Sequence, residues 1–141
     1  MKGDAVSPSA KVVLLVDDSQ TVRRMLEWSL RPAGCRTLQA ADGLQALEIL
    51  RIEAVDLAIV DLNMPRMDGL ELLRTLRADP KFKGLPVILL TTEGRAPDRE
   101  AALEAGANLY LTKPSTPALL LGKTRMFLGQ EETTEPGTLQ S

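Results

Sequence analysis

The sequence predicts an α/β fold in which a five-stranded parallel sheet is doubly wound, with helices on both faces. Three observations lead there. Short apolar runs alternate with segments of helical period across about residues 11–129, and such alternation is the mark of parallel strands joined by helical crossovers. The runs over 57–60 and 87–90 are almost unbroken Val, Ile, Leu and Ala, as central strands covered on both sides require. Finally, acidic or polar residues stand directly after four of the runs: Asp17 and Asp18, Asp61, Thr91, and Lys113. In an open parallel sheet, ligands gather beyond the carboxyl ends of the strands.

The first strand is expected over about 11–16. A helix follows near 20–31, with Val22, Met25, Leu26, Ser29 and Leu30 on its inward stripe; Pro32 and Gly34 stop it. The second strand covers about 35–40. Asp42 then reads as an N-cap, with Gln45 three residues on, where a capping box places it. Leu44, Leu47, Ile49 and Leu50 give the second helix its apolar side. The third strand is expected at about 56–60 and the third helix at about 68–78. The fourth strand spans 86–91 and the fourth helix about 97–105, closed by Gly106. The fifth strand and helix fall near 108–112 and 116–128. Right-handed crossovers place helices on both faces, and the expected strand order is the flavodoxin-like 2-1-3-4-5. Residues 1–10 read as a flexible leader, 11–129 as one domain, and 130–141 as a disordered tail.

Composition excludes several functions. A net charge of -2 gives no general electrostatic reason to bind nucleic acid or acidic lipid. No apolar run approaches a membrane span, and the first residues lack the apolar stretch of a secretory signal. Cys35 is the single cysteine, so no internal disulfide forms and a reducing cytoplasm is expected. Histidine is absent, which removes Ser-His and Cys-His catalytic pairs and His-based metal sites. If Asp61 takes phosphate from a histidine, another protein or domain must supply that histidine.

The strand-end set suggests phosphoryl chemistry. An aspartate there can attack phosphorus and form an acyl phosphate. Magnesium would offset the charge that the phosphoryl group brings to an anionic site. It favours about one or two carboxylates with waters and phosphate oxygens; Asp17 or Asp18, Asp61 and a backbone carbonyl near Asn63 could supply the protein donors. Lys113 offers a mobile positive charge, and Thr91 a hydroxyl. Each residue alone has a plainer reading. Asp17, Asp18 or Ser19 could cap the first helix, Asp61 could open a turn, and Thr91 and Lys113 could be ordinary strand-end and surface residues. It is their joint occurrence at the ends of four neighbouring strands that argues for a site. Met64, Pro65 and Gly69 shape the loop after Asp61, and a cis bond between Lys113 and Pro114 would be one way to aim the lysine.

With these residues in place, the chain resembles a response-regulator receiver domain over about residues 11–129. The resemblance rests on Val16, Asp17 and Asp18; on the run from Asp61 to Gly69; on Leu90, Thr91 and Thr92; on Ala105, Gly106 and Ala107; and on Lys113 and Pro114. The run from Asn63 to Asp79 is most similar to stand-alone receivers of the chemotaxis type. The resemblance implies Asp61 as phosphoacceptor and Asp17 and Asp18 as the metal pair, with Asn63 as a backbone-carbonyl ligand. It also implies Thr91 and Tyr110 as a switch pair, and Lys113 as the phosphate contact. Tyr110 without the family would read as a half-buried strand aromatic. Two positions depart from the pattern: Ser115 stands where an apolar aromatic is frequent, and Thr92 where Ala or Gly is usual, narrowing access to Asp61.

The expected partners are a histidine kinase or phosphotransfer protein, and a downstream protein that reads the phosphorylated state. No DNA-binding module is expected after residue 129, so output passes through protein contact, as in chemotaxis, or through a phosphorelay. A small aspartate-nucleophile phosphatase is the competing enzyme reading. Its nucleophile would follow the first strand, and its second aspartate would stand where this chain has Asn63. A receiver that works unphosphorylated is a third reading, against which the complete site argues. On the fifth helix, Leu120, Thr124, Phe127 and Leu128 form the expected core stripe. Leu119 and Met126 are left on another face, a candidate output surface for a partner or a second copy through helix 4, strand 5 and helix 5.

Overall fold

The computed structural model describes residues 10–92 and 96–130. All but the last residue of the expected leader, and all but the first of the expected tail, lie outside the described residues. Five strands form one parallel sheet: β1 (Val12–Val16), β2 (Arg36–Ala40), β3 (Leu57–Asp61), β4 (Val87–Thr91) and β5 (Leu109–Thr112). Their order is β2-β1-β3-β4-β5. Between and after them run α1 (Gln20–Leu30), α2 (Gly43–Ile52), α3 (Gly69–Ala78), α4 (Ala96–Glu104) and α5 (Pro117–Phe127). The predicted fold class and strand order are those observed.

Strand alternation divides the core in two. On one face Leu14, Val16, Ala58, Val60, Val87 and Leu89 pack against Ala46 and Leu50 of α2, Leu72, Leu73 and Leu76 of α3, and Ala102 of α4. On the other, Val13, Leu15, Leu57, Ile59, Ile88 and Leu90 meet Leu26 and Leu30 of α1 and Leu120 of α5. Every residue of β1, β3 and β4 is buried, which explains their near-continuous apolar sequence.

The helix stripes are narrower than the sequence suggested. The helical period turns Met25 and Leu44 inward, but Met25 is 62% exposed and Leu44 41% exposed. In α1 the pair Leu26 and Leu30, one turn apart, reaches the sheet, and Met25 lies about 100° round the axis from Leu26. In α2 the small Ala46 takes the close position against the sheet instead of Leu44. The caps also differ in detail. Asp42 accepts from the Gln45 amide at 2.9 Å as expected, but the Gln45 side chain accepts from the Ala41 amide at 2.6 Å, so the box does not close on Asp42 itself. A closed capping box stands instead at α3, between Asp68 and Glu71.

Candidate functional site

β1 and β3 lie side by side, with Val16 opposite Val60, so the residues that follow Val16 and end β3 meet at one rim. Asp17 and Asp61 are buried there, 2% and 7% exposed, and Asp18 is exposed beside them. One carboxylate oxygen from each of the three lies within 4.8 Å of the others. Asp17 is held by its surroundings: its amide donates to the Ala40 carbonyl, its Oδ1 accepts from the Ser19 amide at 2.9 Å, and Arg23 Nη1 donates to its carbonyl. Arg23 in turn donates through Nε to Gln39 Oε1 at 2.9 Å. The helix-capping duty that Asp17 or Asp18 could have carried falls to Ser19, whose hydroxyl accepts from the Val22 amide.

Lys113 reaches this rim from the end of β5. Its Nζ donates to Asp17 Oδ2 at 2.9 Å and lies 3.4 Å from Asp61 Oδ1. Its amide donates to the Thr91 carbonyl at 2.6 Å, and the Lys113–Pro114 bond is cis. Thr91 is fully buried at the end of β4. Leu89, two residues before Thr91, is the register partner of Tyr110; residues two apart on a strand share a face, so Thr91 and Tyr110 lie on the same side of the sheet. Tyr110 is 4% exposed, more deeply set than a half-buried strand aromatic, with the Arg99 guanidinium 5.9 Å over its ring. Asn63 follows in the β3–α3 loop and is exposed.

Burial is the first cause of Asp61's unusual acidity: it raises the carboxyl to about 6, and the Asp17 charge adds to it. Lys113 pulls the other way, and Asp18 raises it further. For Lys113, burial opposes the charge, but the hydrogen bond to Asp17 and the charges of Asp61 and Asp17 outweigh it, so its pKa is raised. The two shifts describe one arrangement: a carboxylate cluster partly neutralised by one ammonium. Hard oxygen donors in a partly buried anionic cluster suit a magnesium ion, so Asp17, Asp18, Asp61 and the Asn63 carbonyl fit the expected ion by chemical type.

A pH dependence follows for the metal-free protein. Asp61 in the folded chain binds its proton up to about pH 6, above an ordinary carboxyl. Between about pH 4 and 6 the folded state therefore holds more protons at this site than the unfolded state, and this contribution to stability increases as pH falls through that window. Urea unfolding of wild type and Asp61→Asn in chelator should show the wild type gaining stability relative to the variant between pH 7 and pH 5. A constant difference would contradict the assignment.

A family model described as the response regulator receiver domain matches residues 13–125. The chain belongs to this family. It is 42% identical over 122 residues to the chemotaxis protein CheY1 of Helicobacter pylori, covering 85% of this chain and 98% of that protein. To the chemotaxis protein CheY homolog of Campylobacter jejuni it is 42% identical over 119 residues, covering 83% and 92%. Among solved structures, the chemotaxis protein CheY4 of Vibrio cholerae superposes with a TM-score of 0.79 at 34% identity, covering 84% of this chain and 99% of that one. The receiver is thus similar to chemotaxis response regulators of two-component signalling along nearly their whole length. Among the described residues, no helix is long and apolar enough to cross a membrane.

Sequence reasoning misses Arg23, which buttresses the Asp17 backbone at the receiver's rim, and, next to that rim, the ion pair that joins Asp42 to Arg66 in the loop after Asp61. Arg23 and Arg66 look like ordinary surface charges in the sequence, and Asp42 carries a signal only for its N-cap role.

Proposed function

We propose that this receiver is a phosphorylation switch in which Asp61 accepts a phosphoryl group from a histidine kinase or phosphotransfer protein in the cytoplasm. The observation that carries the reading is the convergence of Asp17, Asp18, Asp61 and Lys113 at the carboxyl ends of β1, β3 and β5. In the transfer, a carboxylate oxygen of Asp61 forms an O–P bond while the P–N bond of the donor phosphohistidine breaks and its electron pair leaves with the ring nitrogen. Magnesium bound by Asp17, Asp18, Asp61 and the Asn63 carbonyl would offset the charge on the phosphoryl oxygens. Lys113, already between Asp17 and Asp61, can follow the phosphoryl group as a compact ammonium. The Thr91 hydroxyl donates to another oxygen, and its movement opens space for the Tyr110 ring. The face formed by α4, β5 and α5 then changes its packing, a population shift between two arrangements. The absence of histidine makes the donor a separate protein or domain.

Exposing the chain to acetyl phosphate with magnesium, and in parallel with a chelator, tests this reading by intact mass. One added phosphoryl group with the ion and none with chelator is expected. No uptake in either would overturn the phosphoacceptor role, and equal uptake would overturn the metal requirement.

Output is assigned to protein contact of the chemotaxis kind, a reading supported by the relatives' description as chemotaxis proteins. Leu119 and Met126 are 45% and 62% exposed on α5, and line a groove with Gly122, Lys123 and Arg125. Leu119→Glu with Met126→Glu should leave Asp61 phosphorylation intact while abolishing association with the partner, or with a second copy of the chain. Wild-type association in a pull-down and in sedimentation would exclude this surface.

A further inference from the structure

The ion pair of Asp42 with Arg66 stands next to the proposed site and takes no part in it. Asp42 Oδ1 accepts from the Gln45 amide at 2.9 Å, while Oδ2 receives Arg66 Nε at 2.9 Å and Nη2 at 2.6 Å. The Asp42 side chain is 8% exposed and that of Arg66 57%. Arg66 has a φ of 67°, a left-handed conformation that a long L side chain rarely adopts. A side chain held on two nitrogens by a buried carboxylate is a physical reason for the loop to keep that conformation.

The position of Arg66 gives the pair its consequence. The loop between β3 and α3 begins with Leu62, whose amide donates to the Leu90 carbonyl and whose carbonyl accepts from Gly69 at 2.9 Å. Near its end the Met67 carbonyl accepts from the Gly43 amide at 3.1 Å. Between these anchors lie Asn63, Met64, Pro65 and Arg66. Met64 packs partly against the core, and the Arg66 side chain ties the outer part of the loop to the start of α2. Pro65, with its fixed torsion, makes the connection from Arg66 back toward Asn63 stiff.

We infer that the Asp42–Arg66 pair is a latch that holds the β3–α3 loop against the N-terminus of α2, and so positions the Asn63 carbonyl toward the acidic rim and sets its affinity for a divalent cation. The inference rests on the proposed metal role of that rim. Arg66 is a positioning residue: it acts through the loop backbone and touches neither the ion nor the phosphoryl group. An ion pair with one exposed partner contributes little by itself, but partners that orient metal ligands commonly change metal affinity by about 10–100-fold. The exposure of Arg66 places the expected effect below that range, at about fivefold.

Calorimetric titration of the full chain with magnesium, without any phosphodonor, tests the latch. Arg66→Asn removes the pair while keeping a residue that accepts left-handed backbone readily, and Asp42→Asn removes the charge while retaining a good N-cap. Each should bind magnesium about fivefold more weakly than wild type, the double variant no more weakly than either single one, and Arg66→Lys should retain most of the affinity. Lowered melting temperatures with unchanged magnesium affinity would mean a purely structural pair and would overturn the latch. Asp61→Ala, titrated alongside, separates the two claims. If it loses affinity and Arg66→Asn does not, the latch alone falls; if it binds magnesium as wild type does, the metal role of the rim falls and the latch with it.

Discussion

Lys113→Ala is expected to destabilise the metal-free receiver and at the same time tighten its hold on magnesium. The ammonium lies 2.9 Å from Asp17 Oδ2 and 3.4 Å from Asp61 Oδ1, and removing it leaves two buried carboxylates facing each other. Breaking a buried pair costs about 3–5 kcal/mol when the remaining charge cannot escape. Here the cost should be smaller, about 2–3 kcal/mol, since Asp61 can take a proton and Lys113 is itself 18% exposed. The ammonium also competes with a divalent ion for the same oxygens, so its loss favours the ion. Urea unfolding at neutral pH should therefore show a deficit in chelator that shrinks as magnesium is added. A deficit independent of magnesium would mean that the lysine and the ion do not share the site. Lys113→Arg keeps the charge but is planar and larger. It should accept a phosphoryl group yet fail to change partner binding, and equal partner affinity for the phosphorylated wild type and variant would contradict that.

Gly69→Ala is expected to be more damaging than its chemistry suggests. Gly69 opens α3, and alanine is the better helix former by about 1 kcal/mol. Packing decides the other way. A Cβ at Gly69 would run into the Asp61 carbonyl oxygen and come within 3.0 Å of the Leu62 Cα and 3.1 Å of the Asp61 carbonyl carbon. All three atoms are backbone, so no side-chain rotation relieves the contact. The loop must shift, and Asp61 with it, at a cost of about 3 kcal/mol. The variant should show a lower thermal midpoint and weakened magnesium binding together; wild-type values for both would show that the loop yields easily and that Asp61 is not held from this side.

The parts of this fold visible in the sequence are those with a local apolar pattern, a continuous run or a helical period. β3 and β4 stand out because burial on both faces selects apolar residues at all but their last positions, and α5 because Leu120, Thr124 and Leu128 repeat at helical spacing and are buried. Strand-end residues were equally legible, since topology alone brings Asp17, Asp61 and Lys113 to one rim. Helical period fixes a stripe but not its width, so it counts Met25 and Leu44 as inward although both are exposed. What lacks such a pattern was not visible. Asp42 and Arg66 are 24 residues apart, and their pairing depends on a left-handed residue in a loop. Arg77 likewise joins α3 to the Gly106 carbonyl, the Phe82 carbonyl and the Asn108 side chain, a set of contacts that no local pattern announces.

The proposed phosphoryl acceptor is the buried carboxylate of Asp61 at the end of β3. Wild-type chain and Asp61→Ala should be exposed to acetyl phosphate with magnesium, and the products mapped by peptide mass spectrometry with the acyl phosphate trapped by borohydride reduction. A single modified residue, Asp61, is expected in the wild type and no modification in the variant. Uptake by Asp61→Ala at the wild-type level, or modification of Asp17 or Asp18 in place of Asp61, would contradict it.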